Sequence, residues 1–185
     1  MGPLLITLGI IAGVILLVLI IMYNGFVSRQ NRMRNAFASI DVQLKKRWDL
    51  VPQLVETVRA YATHEKEVFE NITKARRGIE AVESASRERF NYEQDLGAGV
   101  ARVMMLAEDY PELKAGGQFL NLQRNLTEVE SQIAASRRAF NAAVTAWNEG
   151  VEMFPGSIMA GIFHFERQDW FETPEDQRKV TDVRF

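Results

Sequence analysis

The chain has 185 residues, one domain's worth at roughly 100–200 residues per domain, with 47% hydrophobic and 25% charged residues. This composition is typical of a folded protein rather than a disordered one. Twenty-two Lys and Arg against 24 Asp and Glu give a net charge of −2, which argues against a strongly basic nucleic-acid-binding protein. The sequence has no cysteine, which excludes disulfides, thiolate zinc sites, iron–sulfur clusters and thiol nucleophiles.

The first element is an uncharged run from Leu4 to Met22, in which 16 of 19 residues are apolar. A helix of this length rises about 28 Å, close to the ~30 Å hydrocarbon core of a bilayer. A cleaved signal peptide is the alternative, but residues 1–3 carry no basic side chain and no Ala-x-Ala site follows the run. We therefore predict an uncleaved transmembrane helix over 4–22, held by membrane lipid, with residues 1–3 as a short extracytoplasmic N-terminus.

Basic residues follow this run. Residues 23–47 carry one acidic side chain, Asp41, and six basic ones: Arg29, Arg32, Arg34, Lys45, Lys46 and Arg47. Because basic residues near a span are retained in the cytoplasm, we expect the N-terminus outside and the rest of the chain inside. A contact of the same cluster with anionic headgroups is the alternative, and we prefer the simple topology signal.

Residues 33–82 carry apolar side chains at alternating steps of three and four, the spacing of one face of a helix and not of a strand. Thirteen of the fifteen positions are apolar, and Arg47 and Glu65 are the exceptions. The positions are Met33, Phe37, Ile40, Leu44, Arg47, Val51, Leu54, Val58, Tyr61, Glu65, Val68, Ile72, Ala75, Ile79 and Val82. We call this stripe the first seam. We interpret its two charged side chains as reaching out to water; a buried pair that sets register in an assembly is the alternative.

Pro52 lies inside the first seam, where a proline removes one helical hydrogen bond and costs about 3 kcal/mol or more. It could instead start a new helix after a cap at Asp49, which would give a hairpin and four shorter helices. Because the seam keeps its phase across Pro52, we favour one long helix kinked there. We expect this helix to run on from the membrane span.

Two further seams follow. The shorter one is Tyr92, Leu96, Gly99, Val103, Leu106 and Tyr110, and the longer one is Phe119, Leu122, Leu126, Val129, Ile133, Ser136, Phe140, Ala143, Trp147, Gly150 and Phe154. We expect breaks at Ser84-Ala85-Ser86, Pro111, Gly116-Gly117 and Pro155-Gly156. Single stripes need partner helices, and short connections make neighbours antiparallel. The sequence therefore predicts an all-α fold: the transmembrane helix, then an antiparallel up-and-down bundle of three to four long, coiled-coil-like helices over 26–154.

The apolar pattern changes after Pro155. Residues 155–172 form a dense apolar and aromatic stretch, which we interpret as a segment that closes the bundle; a patch for a membrane or a partner is the alternative. Residues 173–185 are mostly polar, and we predict a mobile tail.

Motifs that carry chemistry are missing from the sequence. There is no phosphate-binding GxxxxGK[ST] loop, and the two histidines, His64 and His164, have no second ligand at a zincin or di-iron spacing. Paired carboxylates such as Glu65/Glu67 are typical of solvated helix faces. We predict no catalytic residue, no cofactor-binding residue, no metal ligand and no enzymatic activity.

Three blocks of the sequence resemble the LemA family of bacterial membrane proteins. The first and most specific reads SIDVQLKKR from Ser39 to Arg47 and DLVPQLV from Asp49 to Val55. The second is YPELKA from Tyr110 to Ala115, and the third comprises Glu130, Ile133, Arg137, Asn141, Asn148 and Phe154-Pro155. The resemblance covers residues 1–172, with departures at Gly116-Gly117, Ser131 and Phe140. It implies a single-pass anchor in the bacterial inner membrane, a cytoplasmic helical bundle and no established enzymatic activity; one group of members takes part in magnetosome membranes.

A membrane-anchored scaffold that forms homo-oligomers is the function we expect. A first helix of about 55 residues would reach roughly 80 Å and a third of about 33 only roughly 50 Å, so the seam from Met33 to Leu44 would be left for the tail or another subunit. The alternative is a monomeric adaptor or regulator of a membrane enzyme or protease complex. Both hypotheses imply a protein partner that the sequence does not identify, and no nucleic acid.

Overall fold

The computed structural model describes residues 2–62, 64–82 and 87–171, and within these ranges the chain is helical without any strand. The all-α prediction is therefore confirmed. Four long helices are α1 (Gly2–Arg59), α2 (Lys66–Ala81), α3 (Arg87–Leu106) and α5 (Gly117–Glu152), and two short ones are α4 (Pro111–Lys114) and α6 (Gly156–Phe163). The chain divides into a terminal unit, Met1–Ser39 with Ser136–Phe185, and a central unit, Ile40–Ala135.

Helix α1 runs on from the apolar run and continues through Pro52 without interruption. This confirms that Pro52 does not separate two helices. The prediction that the same helix reaches Val82 is wrong, because α1 ends at Arg59 and α2 begins at Lys66.

The first seam keeps its phase across this unpredicted turn. Val58 before the turn and Val68 after it are both buried in one core, so the apolar spacing continues although the chain reverses direction. Two seam positions lie in the turn itself: the aromatic Tyr61 is exposed, and the charged Glu65 is half-buried just before α2. These two residues are the signal that could have located the turn.

The central unit has up-and-down connectivity. The Arg76 guanidinium of α2 lies 4.2 Å above the ring of Trp48 on α1, whereas Arg59 at the end of α1 lies 5.6 Å above Phe69 near the start of α2. The order of these two contacts makes α1 and α2 antiparallel. The core that joins them to α3 and α5 contains these buried residues: Val51, Leu54, Val58, Ala62, Val68, Phe69, Ile72, Ala75, Leu96, Val100, Val103, Ala107, Leu113, Phe119 and Leu126.

Glycines inside helices let α2 and α3 approach closely. A Cβ atom on Gly78 would lie 2.5 Å from the Tyr92 ring, and one on Gly99 would lie 2.7 Å from Cγ1 of Ile72. The order of these pairs makes α2 and α3 antiparallel as well. Glycine costs a helix interior about 1 kcal/mol relative to alanine, and the close packing of Tyr92 and Ile72 offsets that cost.

The terminal unit is built on an antiparallel contact between α1 and α5. The Phe26 and Trp147 rings are 5.7 Å apart, and the Phe37 and Phe140 rings are 5.8 Å apart, both edge-on. Phe37 therefore already has a partner within the chain. In the central unit Ile40 and Leu44 are buried too. The expectation that Ile40 and Leu44 are left for the tail or another subunit is wrong, whereas Met33 stays half-exposed.

Two other predicted breaks, at Pro111 and at Gly116-Gly117, lie where helices begin. Helix α3 ends at Leu106, a 3-10 turn follows at Ala107–Asp109, and Pro111 occupies the first position of α4, where a proline is tolerated. Helix α5 begins at Gly117, as the Gly116-Gly117 prediction requires. The predicted cap at Ser84-Ala85-Ser86 and the predicted mobile tail at 173–185 lie outside the described residues.

Candidate functional site

An aromatic cluster surrounds the end of the apolar run in the terminal unit. The ring of Tyr23 lies 5.0 Å from that of Phe163, at the end of α6. The Phe165 ring lies 5.0 Å from Phe26 and 5.4 Å from Trp147. Five aromatic side chains thus join the first residues beyond the apolar run to α5 and to the segment that follows α6.

Helix α6 has one buried and one exposed side. Met159 and Ala160 are buried against Phe26 and Trp147, and Met22 packs against the same cluster. The exposed large apolar residues of this region are what we name the α6 patch: Met153 and Phe154 just before α6, Ile158 and Ile162 on its exposed side, and the half-exposed Phe163 at its end. The buried side of α6 is consistent with the interpretation of residues 155–172 as a segment that closes the bundle. The exposed apolar residues are what the alternative, a patch for a membrane or a partner, requires.

Gly156 is the residue that lets α6 begin where it does. A Cβ atom on Gly156 would lie 2.1 Å from the carbonyl oxygen of Gly150 and 3.5 Å from Phe26. A backbone carbonyl cannot move aside as the end of a flexible side chain can. Only glycine therefore fits at position 156 against the last turns of α5. The position of α6 beside Phe26 therefore depends on this glycine.

Two asparagines of α5 hold the extended segment after α6. The Asn148 side chain donates to the carbonyl of Gln168 at 2.9 Å and accepts from the amide of Gln168 at 2.9 Å. Asn141 does the same with Phe171, donating at 3.1 Å and accepting at 2.7 Å. Each side-chain amide thus pairs with both polar groups of one backbone residue, as a neighbouring strand would. We call Asn141 and Asn148 the asparagine clamp.

Further contacts support the asparagine clamp. The Trp147 indole donates to the carbonyl of Glu166 at 2.8 Å, and the Trp170 indole donates to the Thr145 hydroxyl at 3.0 Å. Arg137 lies 4.6 Å above the ring of Phe171. In the sequence, Asn141, Asn148 and Arg137 are known only as residues of the third block that resembles the LemA family. In the structure, their contacts hold residues 165–171 in place.

A charged network is buried in the central unit. Arg47 is 2% exposed; it donates to Oε2 of Glu93 at 2.5 Å, to the carbonyl of Glu93 at 2.7 Å and to Oε1 of Glu130 at 3.1 Å. The interpretation that Arg47 reaches out to water is therefore wrong, because α3 and α5 cover it. Glu65, the other charged seam residue, lies half-exposed in the turn before α2.

The network continues along α3. Arg89 lies 3.7 Å from Oε1 of Glu93 and 3.2 Å from Asp41 of α1. Both carboxylate oxygens of buried Glu93 therefore face arginines. A Cβ atom on Gly97 would lie 3.0 Å from Nη1 of Arg47, so this glycine leaves room for the guanidinium. Each charged group faces another within the protein, which is the arrangement of a structural network rather than of a substrate site.

An open groove of about 360 Å³ lies between α1 and α5 in the central unit. Its lining is Gln43, Lys46, Asp49, Leu50, Asn125, Glu128, Val129 and Gln132. This volume is near the lower limit for small-molecule sites, which are mostly apolar and enclosed. The groove is open rather than enclosed, and its lining offers no histidine.

The two histidines do not assemble a site in the described residues. His64 is exposed in the turn between α1 and α2, and His164 is exposed after α6, where its φ of 54° ends the helix. Among residues 2–62, 64–82 and 87–171, no three acidic or histidine side chains converge as metal ligands would. The absence of catalytic, cofactor and metal residues remains a prediction.

Comparison with known proteins yields one family and several relatives. The LemA family model matches residues 36–185. Magnetosome protein MamQ of Magnetospirillum gryphiswaldense is 21% identical over 178 residues, covering 83% of this chain and 65% of the relative. MamQ 2 of Paramagnetospirillum magneticum is 25% identical over 179 residues, covering 83% and 66%. Protein LemA of Metamycoplasma hominis is 21% identical over 160 residues, covering 86% and 73%.

The chain spans about two thirds of the length of the two magnetosome relatives, 65% and 66%. Helix α1 is long and apolar enough to cross a membrane, and its apolar window is not buried within the protein. These properties are consistent with a membrane-associated protein. Because the family model covers four fifths of the sequence, including the Ser39–Val55 and Tyr110–Ala115 blocks, the chain belongs to the LemA family.

Proposed function

We propose that the chain is a non-enzymatic, single-pass membrane protein whose helical bundle is an interaction scaffold at the cytoplasmic face of the bacterial inner membrane. The observation that carries this proposal is the continuity of α1, which passes from the apolar run at 4–22 to Arg59 without a break. An anchor and a bundle that share one helix are joined without a flexible linker.

The shared helix sets a length scale for the scaffold. From Tyr23 to Arg59 α1 has roughly 37 residues, which extend about 55 Å at 1.5 Å per residue. Each unit packs its own part of α1: Phe26 and Phe37 contact α5 in the terminal unit, and Trp48 and Arg59 contact α2 in the central unit. Most of the stability of a helix in a protein comes from such packing.

The non-enzymatic part of the proposal is supported by what the buried polar groups contact. Arg47 and Glu93 bind each other inside the core, and Asn141 and Asn148 bind backbone. Catalysis needs positioned groups that face a cavity able to hold a substrate. The groups described here face other parts of the protein.

The orientation rests on fewer residues than the sequence count suggested. Arg29, Arg32 and Arg34 lie within about 12 residues of the end of the run, where basic residues influence topology. Arg47 is buried and ion-paired, so it does not belong to this signal. Three basic residues beyond the run, and none in residues 1–3, still favour a cytoplasmic bundle.

A second candidate function is a monomeric adaptor or regulator of a membrane enzyme. One observation favours it: in the seam stretch that suggested self-association, Ile40 and Leu44 are buried within the chain and Phe37 packs on Phe140. The relatives named magnetosome proteins favour the scaffold, if the chain shares with them a role in a larger membrane structure.

Cross-linking in intact membranes separates the two functions. Copies that carry two different epitope tags are co-expressed, treated with a lysine-reactive cross-linker, captured through one tag and analysed by mass spectrometry. A self-assembling scaffold gives cross-linked products that contain both tags. A monomeric adaptor gives none, and instead gives stoichiometric links to one other protein. Absence of both kinds of product would contradict both functions.

The orientation is tested with single cysteines, which are unique because the natural chain has none. Met105 is 73% exposed in the central unit, and Met105→Cys should react with a membrane-impermeant maleimide only after the membrane is opened. A cysteine at Gly2 is the matched control and should react in intact spheroplasts. The reverse pattern would contradict a cytoplasmic bundle.

A further inference from the structure

Helix α6 is held at the level where the apolar run ends. The Tyr23 ring, one residue beyond the run, lies 5.0 Å from the Phe163 ring, and Met22 packs against the cluster that buries Met159. If residues 4–22 cross the bilayer, Tyr23 lies at the headgroup level, where aromatic side chains are enriched. Phe26, which also contacts this cluster, lies only about 4.5 Å further along α1.

The chemistry of α6 matches that level. None of its eight residues, GSIMAGIF, carries a charge. In the α6 patch Phe154 is 80% exposed, Ile162 59% and Ile158 55%. In the central unit, by contrast, the exposed large apolar residues come from four separate stretches of the chain: Val42, Tyr61, Met105 and Leu120. Single exposed apolar residues are ordinary, whereas a contiguous group marks an interaction surface.

We propose that the α6 patch inserts into the boundary between headgroups and acyl chains, as a second lipid contact beside the transmembrane helix. This inference rests on the proposed membrane anchoring of residues 4–22. The occupant is lipid because Phe163, a member of the patch, contacts Tyr23 just beyond the run, and because Met22, the last residue of the run, packs against the cluster that buries the other side of α6. Interfacial helices bury their apolar face about 5–10 Å into this boundary, a depth that a helix beside Tyr23 and Phe26 reaches.

A second lipid contact has a mechanical consequence. A single transmembrane helix is free to rotate and tilt, and flanking anchors are what fix its orientation. Gly156 seats α6 against α5, and the asparagine clamp holds the segment that follows it. Insertion of the α6 patch would therefore fix the rotation of α1 and the direction in which the terminal unit faces.

Site-directed spin labelling of the full chain tests the proposal. Ile158→Cys and Ile162→Cys carry a nitroxide in nanodiscs of phosphatidylethanolamine and phosphatidylglycerol. Leu16→Cys reports on the span, and Val42→Cys, 55% exposed, is the water-facing control for Ile158. We expect the labels at 158 and 162 to collide more with oxygen than with a water-soluble nickel complex, as the label at 16 does, and the label at 42 to show the opposite preference.

Three results would overturn the proposal, and each has a different meaning. If the labels at 158 and 162 behave like the label at 42 while the label at 16 is in lipid, the α6 patch is not inserted and the anchor stands. If the label at 16 is also in water, the anchoring itself fails. If the label at 158 shows dipolar broadening that disappears on dilution with unlabelled chain, the patch binds a second copy.

A charge at the α6 patch supplies an independent readout. A carboxylate is costly within a bilayer, so Ile158→Asp with Ile162→Asp should shift a nitroxide at Phe154→Cys from oxygen towards nickel accessibility. Val42→Asp is the matched control and should leave that label unchanged. Circular dichroism checks that the variant keeps its helix content. A label at 154 that does not respond in a folded variant would also overturn the proposal.

Discussion

Replacing Arg47 by methionine tests whether the buried charged network stabilises the central unit. Methionine has a similar length and no charge, so the change removes the hydrogen bonds to Glu93 and Glu130 and leaves an apolar stem in the core. The two acidic partners respond differently, because the Glu93 side chain is 3% exposed and that of Glu130 is 39% exposed. Glu130 can turn to water, whereas Glu93 cannot.

The expected magnitude follows from this difference. Removing one partner of a buried ion pair costs about 3–5 kcal/mol, and a half-exposed pair contributes about 1 kcal/mol or less. Because Arg89 remains 3.7 Å from Oε1 of Glu93, we expect Arg47→Met to lower the free energy of unfolding of the central unit by the lower end of that range, about 3 kcal/mol, mainly through Glu93. Glu130→Gln, the matched control, should cost about 1 kcal/mol. Arg47→Met combined with Glu93→Leu should recover most of the loss, because no carboxylate then stays buried without Arg47.

Native-state hydrogen exchange measures this in the full chain, because peptides from residues 44–58 and 92–106 report on the central unit separately from the terminal unit. Exchange free energies are compared for the natural chain, Arg47→Met, Glu130→Gln and the double variant. A loss below about 1 kcal/mol for Arg47→Met would mean that the buried network contributes no more stability than an exposed ion pair, which would refute the reasoning. A double variant no more stable than Arg47→Met would equally refute the reasoning, since the cost would then not come from Glu93.

The remaining predictions concern the terminal unit. Gly156→Ala should speed exchange of the α6 amides and cost about 1–3 kcal/mol or more, because overpacking against the Gly150 carbonyl forces backbone to move. Gly161→Ala, in the same helix with nothing within 4 Å, should instead be neutral or gain up to about 1 kcal/mol in the same measurement. Asn148→Leu should speed exchange and limited proteolysis across 165–171, because the backbone of Gln168 loses both side-chain hydrogen bonds, a cost of about 1–3 kcal/mol; the exposed Asn121→Leu should leave both rates unchanged.

The helices and their buried faces follow from the sequence because burial repeats with the helical period. Val51, Leu54 and Val58 are all seam positions with no exposed surface. The same period explains the error at residues 60–65. A hairpin in which both helices bury their seam in one core can keep the apolar spacing across the turn, so phase alone does not prove that a helix continues.

The polar contacts could not be predicted because they join residues that are distant in the sequence. Arg47 binds Glu93, 46 positions away, and Glu130, 83 positions away. Its long side chain is equally compatible with a path to water, and only the arrangement of α3 and α5 excludes that path. Asn148 and Gln168 are closer in sequence, but asparagine on a helix has no preferred partner until the chain after α6 folds back.

These polar contacts solve a problem that the apolar seams create. A seam that repeats every seven residues is nearly degenerate, because a shift of α1 by one heptad places another apolar residue at most core positions. Within the central unit, such a shift would place Ile40 or Leu54 in the position of Arg47 and leave buried Glu93 with Arg89 alone, 3.7 Å from Oε1. Breaking a buried ion pair by removing one partner is strongly destabilising, so one arginine distinguishes one register from its neighbours. Polar residues at core positions of coiled coils specify register in the same way.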